Sequence, residues 1–114
     1  MKDCTFCKIV AGTSPSDVLY QDERVTAFRD IHPAAPTHVL IVPNQHISRA
    51  HDLTPDENEL VGHMFTVARL IAEAEEVAKN GYRMIINNGP HGGQVIYHLH
   101  LHLIGGQRMR YPMG

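Results

Sequence analysis

The chain has 114 residues, which is enough for one domain with one hydrophobic core and too few for two. Apolar residues make up 43% of it, charged residues 19%, and the net charge of -2 excludes the broad positive surface by which proteins bind nucleic acids. No apolar run approaches the roughly 20 residues of a membrane span, and the first residues lack the apolar stretch of a secretion signal. We therefore expect one domain over residues 1–114, located in the cytoplasm, with neither nucleic acid nor membrane as a partner.

The first half of the chain predicts a short helix followed by three strands. Residues 4–11 can form a helix that Gly12 ends, and a turn follows. Two short apolar segments on either side of the polar residues 21–24 predict a β-hairpin over residues 18–28. The aliphatic run 38–42 predicts a third strand that is buried on both faces.

The second half predicts one long helix and two further strands. Thr54, Pro55 and Glu57 form a typical helix start, and apolar residues at helical spacing continue until Asn80 and Gly81 stop the helix. Residues 82–86 predict a fourth strand, 87–94 a glycine-rich loop and 95–104 a fifth strand. The short connections favour antiparallel pairing, so we expect an α+β fold with the long helix packed on a five-stranded antiparallel sheet.

Three histidines stand out in the last predicted strand. His98, His100 and His102 are spaced by two and each is followed by an aliphatic residue. A period of two places the imidazoles on one face of the strand and the intervening leucines on the other. A core-facing strand has no packing reason to carry three imidazoles, each of which can transfer a proton, bind a metal or attack an electrophile. We therefore expect the active site here.

Cys4 and Cys7 form a second motif near the start of the chain. In a chain without a secretion signal, this spacing favours half of a metal site or a redox pair over a structural disulfide. The nine histidines of the chain make metal binding the better hypothesis.

The pattern over residues 98–104 resembles the signature of the histidine-triad (HIT) superfamily, which contains nucleotide-binding hydrolases and transferases. Further matching segments, in the same order along the chain, are 28–31, 36–43, 46–47, 81–84, Asn87 and 92–94. The tail 105–109 is similar to that of the Hint branch of purine nucleoside phosphoramidases. The resemblance covers nearly the whole chain. It implies a HIT-like fold and a homodimer whose sheets join across the long helix and the strand that begins at Tyr82.

The resemblance also implies an activity, the hydrolysis of adenosine 5′-phosphoramidates to AMP and an amine, with a purine nucleotide as ligand. His100 would be the nucleophile that becomes adenylylated. His102 would donate to the phosphoryl oxygens or assist the leaving amine, and His38 would orient the site from a neighbouring strand. His98, the first histidine of the triad, would complete the implied set of catalytic residues.

Nucleotide-binding roles follow from the same resemblance. Asp30 would accept hydrogen bonds from the ribose hydroxyls, and Ile31 would border the base. Asn87 and Gln94 would contact ribose and phosphate. Backbone N–H groups from Gly93 to Val95 would hold the phosphoryl group, since a glycine turn can form an anion-binding concavity. Many Hint-like proteins have a hydroxyl residue where this chain has Val95, which can contribute only its backbone N–H.

The resemblance further implies a structural zinc ion and no organic cofactor. Its ligands would be Cys4, Cys7, His46 and His98, a Cys₂His₂ set of the kind that zinc prefers. In that arrangement His98 is structural, while His100 and His102 carry out the chemistry.

Three other functions stay open from the sequence. One is hydrolysis of dinucleoside polyphosphates, or nucleotidyl transfer, within the same superfamily. Another is a nucleotide-binding scaffold protein without catalytic activity. The last is a zinc hydrolase in which the triad itself holds the metal, because alternating strand histidines can chelate an ion.

Overall fold

The structure, a computed structural model, describes residues 3–114 and consists of one sheet with a helix on each face. The helices are α1 (Thr5–Ala11) and α2 (Asn58–Ala74). The strands are β1 (Val18–Gln21), β2 (Val25–Arg29), β3 (Thr37–Pro43), β4 (Tyr82–Ile85) and β5 (Leu101–Gly105). They are ordered β1-β2-β3-β5-β4, and every neighbouring pair is antiparallel. The expected α+β fold is confirmed. Within residues 3–114 no helix has the length and apolar character needed to cross a bilayer.

The larger core lies between α2 and one face of the sheet. Its fully or almost fully buried members include Val25, Ala27, Val39, Ile41, Met64, Val67, Ala68, Ile71, Leu99, Leu101 and Leu103. The three leucines that alternate with the histidines all belong to it. The predicted separation of leucines and imidazoles onto opposite sides is therefore confirmed.

The smaller core lies on the other face, beneath α1. Phe6 and Ile9 of this helix pack on Phe28, Leu40 and Val42. The helix begins as predicted, because the Sγ atom of Cys4 accepts a hydrogen bond from the backbone N–H of Cys7 at 3.4 Å. It ends at Gly12, which has the left-handed φ of 78° that glycine adopts without strain. This short helix forms one wall of the site described below.

The long helix is shorter than the sequence predicts. Thr54 and Glu57 form the expected capping box, but the first turn is a 3₁₀ turn over Pro55–Glu57, and α2 itself begins at Asn58. The helix ends at Ala74 instead of reaching Asn80. The chain turns at Glu76, whose φ is 59°, and Val77 is still 4% exposed. Burial of Val77 through this turn explains why its position matched a helical pattern.

The fifth strand is also shorter than predicted. Residues 95–100 form an irregular segment, and only Leu101–Gly105 pairs in the sheet. The backbone N–H of Leu99 donates to the carbonyl oxygen of Ile47 at 2.6 Å, so this segment is held by a loop and not by a strand. Of the three triad histidines, only His102 lies in β5. His98 and His100 lie in the segment that leads into it.

The end of β2 is anchored to the end of α2. The guanidinium of Arg29 donates to both carboxylate oxygens of Glu75, at 2.6 and 2.9 Å, and a third contact of 3.3 Å joins Arg29 Nε to Asp17. Bidentate pairing of this kind has a defined geometry. It holds the backbone at the point where the chain leaves β2 and enters the site.

Candidate active site

A cavity of about 370 Å³ opens on the face of the sheet that carries α1. Its inner wall is apolar and is formed by Phe6, Ile9, Phe28 and Leu40, all of which are less than 10% exposed. A concave apolar site with a few convergent polar groups is typical of small-molecule binding.

His100 lines this cavity and has a defined tautomer. Its Nδ1 lies 2.8 Å from the carbonyl oxygen of His98, and a carbonyl can only accept, so Nδ1 carries the hydrogen and donates it. In the neutral ring, Nε2 therefore keeps its lone pair. The edge of the Phe6 ring packs against the imidazole at a centroid distance of 5.1 Å, which fixes the ring plane. His100 thus has a defined tautomer and a defined ring orientation at the cavity wall.

His38 and His102 form a second, linked pair. The backbone N–H of Ala34 donates to His38 Nδ1 at 3.0 Å, so the hydrogen of the neutral His38 ring is on Nε2. That atom lies 2.9 Å from His102 Nδ1 and donates to it. The hydrogen of the neutral His102 ring is therefore on Nε2. His102, which lines the cavity, can donate a hydrogen bond to a ligand there.

Burial keeps both rings of this pair neutral at physiological pH. It lowers the pKa of His102 to about 4, with a smaller contribution from the neighbouring His100 and His38. Burial also lowers the pKa of His38, and the nearby Asp30 carboxylate opposes that effect. Two uncharged imidazoles in series can align hydrogen bonds without adding positive charge to the site.

Asp30 and Ile31 follow directly after β2 and line the cavity. One carboxylate oxygen of Asp30 accepts a hydrogen bond from the backbone N–H of His32 at 2.8 Å, and the other lies 3.4 Å from His38 Nε2. Asp30 therefore stabilises the turn after β2 and also lines the cavity. Ile31 is 80% exposed at the cavity wall, where an apolar side chain can cover a ligand.

The glycine-rich loop has fewer free donors than the sequence predicts. The backbone N–H of Gly93 donates to the carbonyl of Pro90 at 3.1 Å, and that of Gln94 to the carbonyl of Gly89 at 3.0 Å. Within residues 3–114 the backbone N–H of Val95 has no such partner. Of the three predicted phosphoryl donors, only Val95 keeps its N–H available.

Gln94 and Asn87 shape this loop. Gln94 is 6% exposed, its Oε1 accepts from Gly89 N–H, and its Nε2 donates to the carbonyls of Ser48 and Ile96 at 2.9 and 3.0 Å. Its side chain is therefore engaged in holding the loop and does not line the cavity. Asn87 donates through Nδ2 to the carbonyl of Gly92 at 2.7 Å and does line the cavity.

A separate cluster brings together the four predicted zinc ligands. Cys4 Sγ lies 3.3 Å from His98 Nδ1, and Cys7 Sγ lies 3.3 Å from His46 Nδ1 and 3.5 Å from His98 Nδ1. All four ligand atoms are within 4.8 Å of one another. Neighbouring sulfur and nitrogen ligands of a tetrahedral zinc ion are about 3.5 Å apart, given ordinary bond lengths.

The tautomer of His98 fits metal binding. Its Nε2 lies 2.8 Å from the carbonyl oxygen of Pro43 and must donate to it, so Nδ1 is unprotonated and faces the two thiols. A backbone carbonyl that fixes the far nitrogen is the usual partner of a metal-binding histidine. His98 is fully buried and does not line the cavity, which agrees with its expected structural role.

The sequence analysis missed the wall that α1 contributes to the site. Phe6, Ile9 and the segment Ser14–Ser16 line the cavity but were not among the predicted binding residues. The signal was present, because Phe6 and Ile9 are three residues apart in the predicted helix and share one of its faces. What covers that face cannot be read from spacing alone.

Comparison with known proteins identifies the family. The family model of the HIT domain matches residues 11–109, a range that includes both the triad and the end of β2. The chain belongs to the HIT family. The predicted membership in this family is confirmed, and so is the prediction that the protein is a hydrolase. The region matched by the family model begins after Cys4 and Cys7.

Three relatives of this HIT protein illustrate the similarity. The purine nucleoside phosphoramidase of Escherichia coli strain K12 is 50% identical over 113 residues, covering 99% of this chain and 92% of the relative. A HIT family hydrolase from Legionella pneumophila has a TM-score of 0.95 at 45% identity and covers 98% of this chain and 100% of its own. A zinc-bound histidine triad family protein from Mycobacterium smegmatis has a TM-score of 0.81 at 33% identity, covering 93% and 76%.

Proposed function

We propose that this HIT protein hydrolyses adenosine 5′-phosphoramidates to AMP and an amine through a covalent nucleotidyl intermediate on His100. The observation that carries the proposal is the tautomer of His100, which lines the cavity: its Nδ1 donates to a backbone carbonyl, so that Nε2 keeps its lone pair. The similarity to the phosphoramidase of Escherichia coli supports the choice of substrate class.

The cavity suggests how the nucleotide binds. The buried apolar wall formed by Phe6, Ile9, Phe28 and Leu40 suits a purine base, which Ile31 would cover from the exposed side. Asp30 offers carboxylate oxygens to the ribose hydroxyls. The phosphoryl group would then lie between His100 and the free N–H of Val95.

The reaction takes place in two steps. In the first, the Nε2 lone pair of His100 forms a bond to phosphorus while the P–N bond of the substrate breaks. The amine keeps that electron pair and takes up one proton from the solvent. In the second, water attacks phosphorus, the P–Nε2 bond breaks, and the water loses a proton to give AMP. Neutral imidazole suits this mechanism because it can act as the nucleophile in the first step and as the leaving group in the second.

His102 stabilises the negative charge on the phosphoryl oxygens. Because burial keeps this ring neutral, we assign its Nε2–H as a hydrogen-bond donor to a phosphoryl oxygen and not as the source of the proton for the amine. His38 fixes the tautomer that makes this possible. Of the two roles that the resemblance implies for His102, the lowered pKa favours the first.

We also propose that Cys4, Cys7, His46 and His98 bind a structural zinc ion. The ion would attach the start of α1 to the triad segment without taking part in the reaction. The short distances, the unprotonated Nδ1 of His98 and the zinc-bound relative from Mycobacterium smegmatis support this assignment. No organic cofactor is needed for either step.

A homodimer in the cytoplasm is part of the same proposal. β4 is an outer strand of the sheet, and its neighbourhood exposes Met84 and Ile86, each 38% accessible. Phe65 and Leu70 are exposed on α2 at 38% and 54%. An open strand edge with apolar neighbours favours pairing with a second sheet. Sedimentation analysis at several concentrations tests the dimer.

The decisive experiment compares wild type and His100→Ala with adenosine 5′-phosphoramidate by product analysis and intact-protein mass spectrometry. We expect AMP release and an adenylyl adduct in rapidly quenched wild type, and neither in the variant. Cleavage of diadenosine polyphosphates without turnover of the phosphoramidate would instead indicate the hydrolase of dinucleoside polyphosphates. Binding of AMP without turnover of either substrate would indicate a scaffold protein.

A further inference from the structure

Val95 is the most exposed of the large apolar side chains in the described part of the chain, at 86%. It nevertheless lines the same cavity as His100 and His102. An exposed valine on an ordinary surface needs no explanation. A valine at the opening of a catalytic cavity contacts whatever part of the substrate extends into the solvent.

The position of Val95 identifies that part of the substrate. Of the three predicted phosphoryl donors, its backbone N–H is the one without a partner among the described residues, so the residue lies next to the phosphoryl group of the proposed complex. The nucleoside occupies the buried apolar wall beneath α1. The remaining substituent on phosphorus, the leaving amine, therefore extends along the exposed side of the cavity, where the Val95 side chain lies.

The charges of the cavity wall do not favour a charged or polar amine there. Among the described lining residues the fully charged groups are Arg29 and Asp30, both at the end of β2. The guanidinium of Arg29 is already held by both oxygens of Glu75. Valine itself offers neither a donor nor an acceptor. An amine that meets this side chain gains free energy only by covering hydrocarbon.

We propose that Val95 is a specificity-determining residue that selects phosphoramidates with an apolar leaving group, an alkylamine or arylamine, over those with a polar one. The inference rests on the proposed phosphoramidase activity. It extends that function to the class of amine, which the family match does not define.

The test uses two substrates of equal size, the adenosine 5′-phosphoramidates of n-butylamine and of 3-hydroxypropylamine. The ratio of their kcat/KM values is measured for wild type, Val95→Ser and a matched control, Val18→Ser, which makes the same change at an exposed valine outside the cavity. Comparing ratios between proteins cancels the intrinsic difference in leaving ability of the two amines.

We expect Val95→Ser to lower the butyl to hydroxypropyl ratio by roughly 10-fold, the lower end of the range for a change of one small group in a binding site. Val18→Ser leaves the ratio unchanged. The two substrates share the same AMP moiety, so any effect of the serine on the binding of that moiety cancels in the ratio. Melting curves of the three proteins report whether each is folded.

Two results overturn the inference by itself. One is an unchanged ratio in Val95→Ser while both substrates release AMP. The other is an equal change of the ratio in Val18→Ser, which would show that the effect does not come from the cavity. If wild type releases AMP from neither substrate nor from the unsubstituted phosphoramidate, the proposed function fails and the inference fails with it.

Discussion

His38 Nε2 lies 2.9 Å from His102 Nδ1, and this contact determines which nitrogen of His102 carries a hydrogen into the cavity. The chain of donors begins outside the site, at the backbone N–H of Ala34. Because a backbone N–H can only donate, the orientation of both rings follows from it. The backbone N–H of Ala34 thus determines, through His38, that the Nε2 atom of His102 is a hydrogen-bond donor.

Replacing His38 tests this relay. In His38→Leu the Nδ1 of His102 loses its donor, the ring can change tautomer, and we expect kcat to fall by roughly 10- to 100-fold. His38→Gln can place an amide N–H near the same atom and should recover part of the loss. Steady-state kinetics with adenosine 5′-phosphoramidate measure both. Equal losses in the two variants would show that the hydrogen bond to His102 is not what His38 supplies.

The lowered pKa of His102 predicts a loss of stability in acid. Above pH 6.5, the ordinary histidine pKa, the ring is neutral in both the folded and the unfolded chain. Between pH 6.5 and about 4 the unfolded chain binds a proton that the folded chain does not, so the free energy of unfolding decreases as the pH falls. The decrease from this one group is at most about 3 kcal/mol.

The measurement is urea unfolding between pH 4 and 7 for wild type, His102→Gln and the exposed-histidine control His51→Gln. The pH dependence should become shallower in His102→Gln and stay as in wild type in His51→Gln. Parallel curves for wild type and His102→Gln would contradict the assignment of a buried neutral ring. His38 and His100 contact His102, so the difference between wild type and His102→Gln reports the titration of this cluster of rings. The histidines outside the cluster are the same in both proteins.

Loss of the metal site should reduce both stability and nucleotide binding. Through the metal site, Cys4 and Cys7 would attach helix α1 to the triad segment. The same helix carries Phe6 and Ile9, which form part of the cavity wall. We expect wild type to contain about one zinc ion per chain and Cys7→Ser to contain much less. The variant should be at least about 2 kcal/mol less stable, roughly 10 °C in Tm, and should bind AMP more weakly.

Elemental analysis, calorimetry and AMP titration provide the three readouts, with His51→Ala as a control for changes outside the cluster. Wild type that contains no zinc and gains no stability from added zinc would rule out the metal site. Unchanged AMP affinity in a zinc-free, folded Cys7→Ser would separate the metal site from the cavity.

A single methyl group should disrupt the glycine-rich loop. A Cβ atom at Gly92 would lie 2.5 Å from the carbonyl oxygen and 2.9 Å from the nitrogen of Asn88, so the backbone has to move. We expect Gly92→Ala to lower kcat/KM by at least about 10-fold, because the Val95 amide depends on this loop. Steady-state kinetics check the activity, and thermal melts check that the variant is folded.

The matched control is Gly62→Ala in α2, where an added Cβ has no neighbour within 4 Å. Removing a helical glycine should stabilise the protein by about 0.5–1 kcal/mol without changing activity. Normal kcat/KM in Gly92→Ala would mean that the position of this loop does not limit the reaction.

The sequence alone determined the two-sided nature of the triad segment. Extended chain places alternate side chains on opposite sides, so the leucines belong to the core and the imidazoles to the site even where no strand pairing is formed. It likewise indicated the capping box at Thr54, because that signal is local. Spacing indicated Cys4 and Cys7 as half of a metal site. The complete set of four ligands came from the family resemblance, since Cys4 and His98 are 94 positions apart and no local rule connects them.

Only the tertiary structure decided the tautomers, the free donors and the ends of the elements. The hydrogen on His100 is located by the carbonyl of His98, and the amides of Gly93 and Gln94 are satisfied by the loop itself. The last strand is shortened because the backbone N–H of Leu99 donates to the carbonyl oxygen of Ile47. Helix α1 joins the cavity because Phe6 packs against Phe28 of β2 in the smaller core. Each of these depends on groups distant in sequence coming within a few ångströms, which is information that spacing and residue type do not contain.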